Sequence, residues 1–274
     1  MMTTARTLVT FPGKLGDLIY TLPAVMSLAR QKNRPVTYLT SPYCRAAQPL
    51  LKIQPYIDAC LVDHEYRLEH LEYGCQPFTM SEPAGFDRIY HLGFRPEITG
   101  NRILKQPLIA TFYHILKIVY DVTLPAYDGG PYLTVDTDKH DNVILFQGHG
   151  HTLMDLMDSD SRERLFRFWQ DLFRMLDYKV LAVSGPKETG FYERFGLPVH
   201  CPADMLETAQ MIKAARLFIG VQSAAAALAD GLKTPRLIFS WFGNAMPTGP
   251  HGLSFSLDAD PAEVAEALKQ RYLA

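Results

Sequence analysis

Short apolar runs rich in β-branched residues recur along the chain, and each gives way to a turn and then to a stretch with apolar positions every three or four residues. The runs TLVTF (7–11), VTYLT (36–40), ACLVD (59–63) and RIYHL (88–92) predict strands, with helices within 17–31 and near 43–51 after the first two. An apolar-striped segment at 102–122 follows, and then TLPAYDGGPYLTVDTDKHDN, whose Pro, Gly and Asp content reads as a linker. Beyond it the rhythm restarts. NVILFQG (142–148) leads to a helix in 161–176, KVLAVSG (179–185) to helices near 187–195 and in 204–215, and LFIGV (217–221) to a helix in 223–232 and the run RLIFSW (236–241). The closing DPAEVAEALKQRYL predicts a helix with Asp260 as N-cap, Pro261 at the first helical position and Val264, Ala267 and Leu268 along one face. Strand and helix alternating in this way argue for parallel sheets. The expectation is α/β, in two tandem units at 1–125 and 142–274 joined by a linker at 126–141.

Composition narrows the picture modestly. With 47% hydrophobic and 20% charged residues the 274-residue chain can bury a sizeable core. A formal net charge of −2 supplies no global basic field for holding phosphates, so nucleic acid is not an expected partner. Cys44, Cys60, Cys75 and Cys201 are widely spaced and form no C-x-x-C pair, the usage of reduced cytoplasmic thiols rather than of a disulfide framework or zinc knuckle. The opening MMTTARTLVTF is too short an apolar run for a secretion signal, and no window reaches the roughly 18 apolar residues of a membrane span. A cytoplasmic protein is expected, with peripheral contact at the inner membrane face left open.

In open parallel sheets ligands gather beyond the carboxyl ends of the strands, so the strand-to-helix turns are the places to look for chemistry. The first, PGKLGDLIYTLPAVMSLARQ (12–31), crowds Gly13, Lys14, Gly16 and Asp17 into five positions. Two glycines let backbone approach a ligand closely, and Asp17 can act as a general base or, more blandly, cap the helix or complement its dipole. Pro23 removes a hydrogen bond from a helix begun at Asp17, implying a kink there or a start at Thr21 or Leu22.

A second turn, LFIGVQSAAAALADGLKTP (217–235), places Gly220, Gln222 and Ser223 before a helix of small residues. Its open N-terminus suits a diphosphate, or Ser223 is simply an N-cap. The third, VSGPKETG (183–190), offers Ser184, Gly185 and Pro186 to a base or ribose, or is a plain loop. The fourth, FQGHGHTLMD (146–155), fails as a dinucleotide fingerprint because Leu153 stands where the last glycine of G-x-G-x-x-G from Gly148 belongs. His149, His151, Asp155 and Asp158 are metal-ligand types, but His-x-His in a Gly-rich loop is usually solvated, and no metal is expected. Asp158-Ser159-Asp160 resembles a metal-holding D-x-D, yet Glu163 three residues after Asp160 makes a capping box the better reading.

Taken together, GKLGDLIYTLPAVMSLAR is similar to the G-D-x(5)-P-x(3)-L motif opening bacterial ADP-heptose:lipopolysaccharide heptosyltransferases, glycosyltransferase family 9. LFIGVQSAAAALADGLKTP resembles their strand–G-x-D-[ST]-G-x-x-H-x-A-x-x-x-x-x-P signature, and KVLAVSGPKE sits where they have a strand ending in a glycine-rich turn. The resemblance implies a GT-B fold, two Rossmann-like domains with parallel sheets facing across a cleft. It also implies inverting, metal-independent transfer of a sugar from a nucleoside-diphosphate donor, ADP-linked in the family, to a hydroxyl of a glycan or lipid-linked acceptor. By the same resemblance Asp17 is the base and Gly13, Lys14 and Gly16 form the acceptor or phosphate loop. Gly148, Ser184, Gly185, Gly220, Gln222, Ser223 and Ala224 would bind the donor, the leaving diphosphate resting on N–H groups at Ser223 and Ala224. No cofactor beyond the donor is implied. The chain departs from the pattern at Gln222, where the family has an aspartate, and at Ala227, where it has a histidine, and the donor-side lysine has no counterpart. A non-catalytic GT-B-fold binding protein and a sugar-nucleotide epimerase are therefore the alternatives. Phe94, Tyr113, Trp241 and Phe242 are aromatic candidates for an acceptor cleft, or for core.

Overall fold

A computed structural model describes residues 6–64, 66, 85–93, 107–138, 140–240 and 249–273. Cys75, Phe94, Trp241 and Phe242, and the start of the striped segment at 102–106, lie outside them. The chain divides into two compact units, Met1–Thr134 with Asp204–Leu206, and Val135–Ala203 with Glu207–Ala274.

In the first unit four strands, β1 (Thr7–Phe11), β2 (Val36–Thr40), β3 (Ile57–Val62) and β4 (Arg88–His91), form a parallel sheet in the order β3-β2-β1-β4. Every residue of β1 is buried, as a central parallel strand covered on both faces requires. The covering helix α1 (Leu15–Lys32) runs unbroken through Pro23, so it starts earlier than either expected position. Packing outweighs the lost hydrogen bond there: eleven of its residues are buried, and Thr21 bonds both the Leu18 carbonyl at 2.7 Å and the Tyr38 hydroxyl at 2.8 Å. A 3₁₀ turn (Pro42–Ala47) and a short α2 (Gln48–Lys52) follow β2. Helix α3 (Leu108–Tyr120) packs on α1, with Tyr113 bonded through its hydroxyl to Ser27 at 2.7 Å and to the Pro23 carbonyl at 3.1 Å. Tyr113 is thus a packing residue of this helix pair.

The proline- and glycine-rich stretch is extended but tied down. Gln54, buried in the first unit, accepts the Thr134 N–H at 2.9 Å and donates to its carbonyl at 3.1 Å, and the Tyr56 hydroxyl donates to the Tyr132 carbonyl at 2.5 Å. Residues up to Thr134 therefore belong to the first unit, and the division falls inside the stretch that composition marks as a linker.

The second unit has six parallel strands, β5 (His140–Gln147), β6 (Lys179–Val183), β7 (Val199–His200), β8 (Ala215–Val221), β9 (Arg236–Phe239) and β10 (Gly252–Phe255). Their order, β10-β9-β8-β5-β6-β7, read from β5 is the doubly wound 3-2-1-4-5-6 arrangement of nucleotide-binding sheets. Helices α4 (His151–Leu156), α5 (Ser159–Met175), α6 (Thr189–Glu193), α7 (Met205–Ala214), α8 (Ala224–Leu232) and α9 (Pro261–Leu268) connect and close it. Phe146 anchors the core, its ring against Trp169 at 5.2 Å, Phe173 at 4.8 Å and Tyr192 at 5.7 Å between centroids. Strands β7 and β10 and helix α4 have no counterpart in the sequence pattern. Asp260 caps α9 by accepting the Ala262 N–H, with Pro261 first in the helix, as expected. Helix α5 is capped by Asp158, which accepts the Ser161 N–H at 2.7 Å, and not by Asp160. Glu163 instead holds Arg194 at 3.0 Å and Arg167 at 3.4 Å, so the capping box is absent although the cap is real.

Candidate active site

The β1–α1 turn sits at the carboxyl edge of the first sheet, between β1 and β4, where the strand order reverses. Three consecutive carbonyls, from the last residue of β1 into the turn, are held by side chains at and just after the end of β2. Thr40 Oγ1 donates to Phe11, Ser41 Oγ to Pro12 and Cys44 Sγ to Gly13, at 3.1, 3.0 and 2.8 Å. Neither Gly13 nor Gly16 has a positive φ, so they serve closeness of approach rather than a left-handed bend. The N-cap of α1 is Lys14, whose side chain makes no capping bond, and Asp17 stands third in the helix. Asp17 is therefore not the cap, but as an acid in the first turn it still complements the helix dipole, the other half of that reading. The residue keeps some exposed surface, yet its carboxyl lies deep enough that burial raises its pKa from 3.8 to about 6, against the opposing pull of the Lys14 charge. The same carboxylate helps burial push the Cys44 thiol up to about 12, which keeps that thiol protonated and donating.

Next to β1 the end of β4 brings His91 into register with Thr10. Thr10 Oγ1 lies 2.7 Å from His91 Nδ1 and 2.9 Å from the Tyr66 hydroxyl, and the Tyr120 hydroxyl accepts the His91 N–H at 2.8 Å. A fixed imidazole thus stands at the strand neighbouring the Asp17 turn. Sequence reading placed RIYHL as a strand but gave His91 no role, because its partners come from 29 to 81 residues away.

In the second unit the reversal point lies between β5 and β8, and the two strand ends are tied to each other there. Ser223 accepts the Ala226 N–H at 3.3 Å as the N-cap of α8 and donates its own proton to Gln147 Oε1 at the end of β5. Ser223 is thus the N-cap that one reading of the sequence made it, and its hydroxyl proton is committed to Gln147. Gly220 is needed for strand pairing, since a Cβ on it would stand 2.7 Å from the Gln147 carbonyl and 2.9 Å from the Phe218 ring. Gly148 is needed because the Phe146 ring occupies the space of its absent Cβ, 2.3 Å away. Gln222 lies half-buried between β8 and α8, and Ala224 opens the helix. Ala227, by contrast, is fully buried in α8 and presents no side chain outward.

At the end of β6, Ser184 is buried, its N–H bonded to the His200 carbonyl at 3.1 Å and its hydroxyl to the Gly185 carbonyl at 2.9 Å. Gly185 carries no steric requirement, a Cβ there meeting nothing closer than the Glu188 carboxyl at 3.8 Å. That carboxyl lies 3.4 Å from His149 Nδ1, while the His149 N–H is accepted by the buried Tyr192 hydroxyl at 3.3 Å. Gln147 and His149 thus reach to opposite neighbours of β5, one toward β8 and one toward β6. Gln147 and Glu188 are the site residues that sequence reading missed. Their meaning arises only when β5, β6 and β8 become neighbours, although an acid following the second strand of a doubly wound sheet was a usable signal for Glu188. Among the described residues no three His, Cys, Asp or Glu side chains gather as a metal site, and no helix is long and apolar enough to cross a membrane.

Two Rossmann-like α/β units with their special turns at the sheets' reversal points define the GT-B class of fold. Solved glycosyltransferase structures share that fold. The chain matches the family 9 glycosyl transferase from Veillonella parvula with a TM-score of 0.65 at 14% identity, over 98% of this chain and 97% of that one. It matches E. coli heptosyltransferase WaaC, solved with ADP, with a TM-score of 0.67 at 10% identity, over 97% and 99%. E. coli ADP-heptose lps heptosyltransferase II gives 0.62 at 15% identity, over 98% of both chains. No protein-family model matches the sequence. No curated protein matches it either.

Proposed function

We propose that this chain is a nucleotide-sugar glycosyltransferase of heptosyltransferase type, transferring a sugar with inversion from a nucleoside-diphosphate donor to an acceptor hydroxyl. The observation that carries the reading is Asp17: a desolvated carboxyl with a pKa near 6, third in a helix that no side chain caps, at the reversal point of the first sheet. Its basicity exceeds that of an ordinary carboxylate by about a hundredfold while it remains mostly ionised at pH 7, the compromise that favours a general base. In the proposed step the acceptor oxygen forms its bond to the anomeric carbon as its proton passes to Asp17. The bond from that carbon to the diphosphate oxygen breaks on the opposite face.

The leaving diphosphate would rest at the start of α8. There the Ala226 N–H is already taken by Ser223, and the Ala224 and Ala225 amides are the first-turn donors left for an anion. Glu188 following β6 would accept from a ribose hydroxyl, with Ser184 and Gly185 beside it. The step is written without a metal or further cofactor. A cytoplasmic enzyme acting on a glycan or lipid-linked acceptor at the inner membrane face accords with the reading.

The test is transfer from a panel of ADP-, UDP-, GDP- and CDP-sugars to a lipid-linked glycan extract, by wild type and Asp17→Asn. Donor-dependent product formed by wild type and lost in Asp17→Asn, with nucleotide binding kept, supports the assignment. Undiminished transfer by the variant overturns it. Sugar isomerised with donor alone would instead favour the epimerase.

A further inference from the structure

The first unit has a hollow of about 370 Å³ at the edge of its sheet opposite to Asp17. It is walled by the last turn of α1 and its left-handed cap Asn33, by the residues leading into β2 and β3, and by the extended Pro131–Thr134. Because the strands are parallel, the starts of β2 and β3 lie a full strand length, roughly 15 Å, from the edge that bears the β1–α1 turn.

Two cations, Arg30 and Arg34, line this hollow, and no acidic residue among the described residues does. Among the described residues neither guanidinium has an ion-pair partner. Asp128, which lines an adjoining hollow shared through Arg30, accepts the Gly130 N–H at 2.9 Å. Placing basic residues at the end of α1 complements the helix dipole, which accounts for Arg30 but not for Arg34, two residues past the helix end. Beside the polar Asn33 and Thr134, one side of the wall is apolar and held in place: Pro35, Pro55 and the Tyr56 ring, with the Tyr56 hydroxyl committed to Tyr132 and Gln54 clasping Thr134 from both sides. A preorganised wall with an apolar side and two guanidinium groups that have no ion-pair partner among the described residues matches a small organic anion that carries a ring.

We propose that this hollow binds a ring-bearing organic phosphate, the guanidinium groups of Arg30 and Arg34 taking the phosphate and the Tyr56 and proline wall the ring, at a site separate from the Asp17 turn. Calorimetric titration of the full chain with phenyl phosphate, inorganic phosphate and benzyl alcohol tests it. One-site binding of phenyl phosphate is expected, at least tenfold tighter than inorganic phosphate, with no detectable binding of benzyl alcohol. It should weaken at least tenfold in Arg30→Gln/Arg34→Gln, whose exposed or half-exposed side chains leave the fold and melting temperature unchanged. It should persist in Ser223→Ala, which separates this hollow from the proposed donor site. Absence of phenyl phosphate binding, equal binding by the arginine double variant, loss of binding in Ser223→Ala, or inorganic phosphate binding as tightly each overturns the proposal.

Discussion

At the scale of single residues the raised pKa of Asp17 ties catalysis to stability. The folded value of about 6 lies above the unfolded 3.8, so the folded chain holds this proton more tightly. The contribution to stability is present below pH ~4 and is lost as pH rises through ~6, a loss of about 1–3 kcal/mol at neutral pH. Asp17→Asn is therefore expected to raise the thermal midpoint at pH 7 to 8, with the gain vanishing below pH ~4. Melting curves of both proteins across that range check the sign; a variant less stable at pH 8 would contradict it. The same group predicts a kcat/KM for transfer that falls on the acid side with an apparent pKa near 6. Glu188→Gln should cost about tenfold in affinity for a nucleoside diphosphate and much less for its 2′,3′-dideoxy analogue, which paired titrations measure. Asp17 was legible because strand, glycines and acid stand within a few consecutive positions. Gln147 was not, because the hydroxyl it holds is 76 residues away.

At the scale of elements, packing decides which patterns become structure. Helix α1 keeps Pro23 inside because its buried face outweighs one missing bond. Strand β7 has two residues and exists only by pairing Val199 with Ala182 and His200 with Val183, so no run of its own announced it. HGHTLMD read as loop because two glycines flank its histidine, yet α4 begins at once after Gly150. Gly220 illustrates the opposite case, a residue read as ligand-facing whose requirement is steric. Gly220→Ala is expected to destabilise by about 1–3 kcal/mol, as the new methyl meets the Gln147 carbonyl. It should also disturb the Ser223 to Gln147 bond, so nucleotide affinity and denaturant midpoint should fall together. Behind α8, Asp230 forms a buried pair with Arg236 at the start of β9, with Lys233 at 3.2 Å. Asp230→Ala leaves a buried guanidinium without its carboxylate, and chemical denaturation should show a loss of about 3–5 kcal/mol.

At the scale of the whole molecule, alternating strand and helix patterns marked two α/β units, and the sheet orders give each a reversal point with an unusual turn. The place of the boundary was less legible. Proline and glycine mark a linker, but Gln54 and Tyr56 bind that stretch to the first unit, and such side-chain clasps leave no local pattern. Of the two departures, Ala227 is fully buried in α8 and serves packing, whereas Gln222 is half-buried at the turn before that helix. On the proposed function, a nucleoside diphosphate would sit in the second unit where Gln147 and Ser223 join the ends of β5 and β8. Calorimetric titration of the purified chain with ADP, UDP, GDP and CDP tests it most directly. Saturable binding of at least one of them is expected, kept in Asp17→Asn and weakened at least tenfold in Gln147→Ala. Binding of none of the four, or equal affinity in Gln147→Ala, would contradict it.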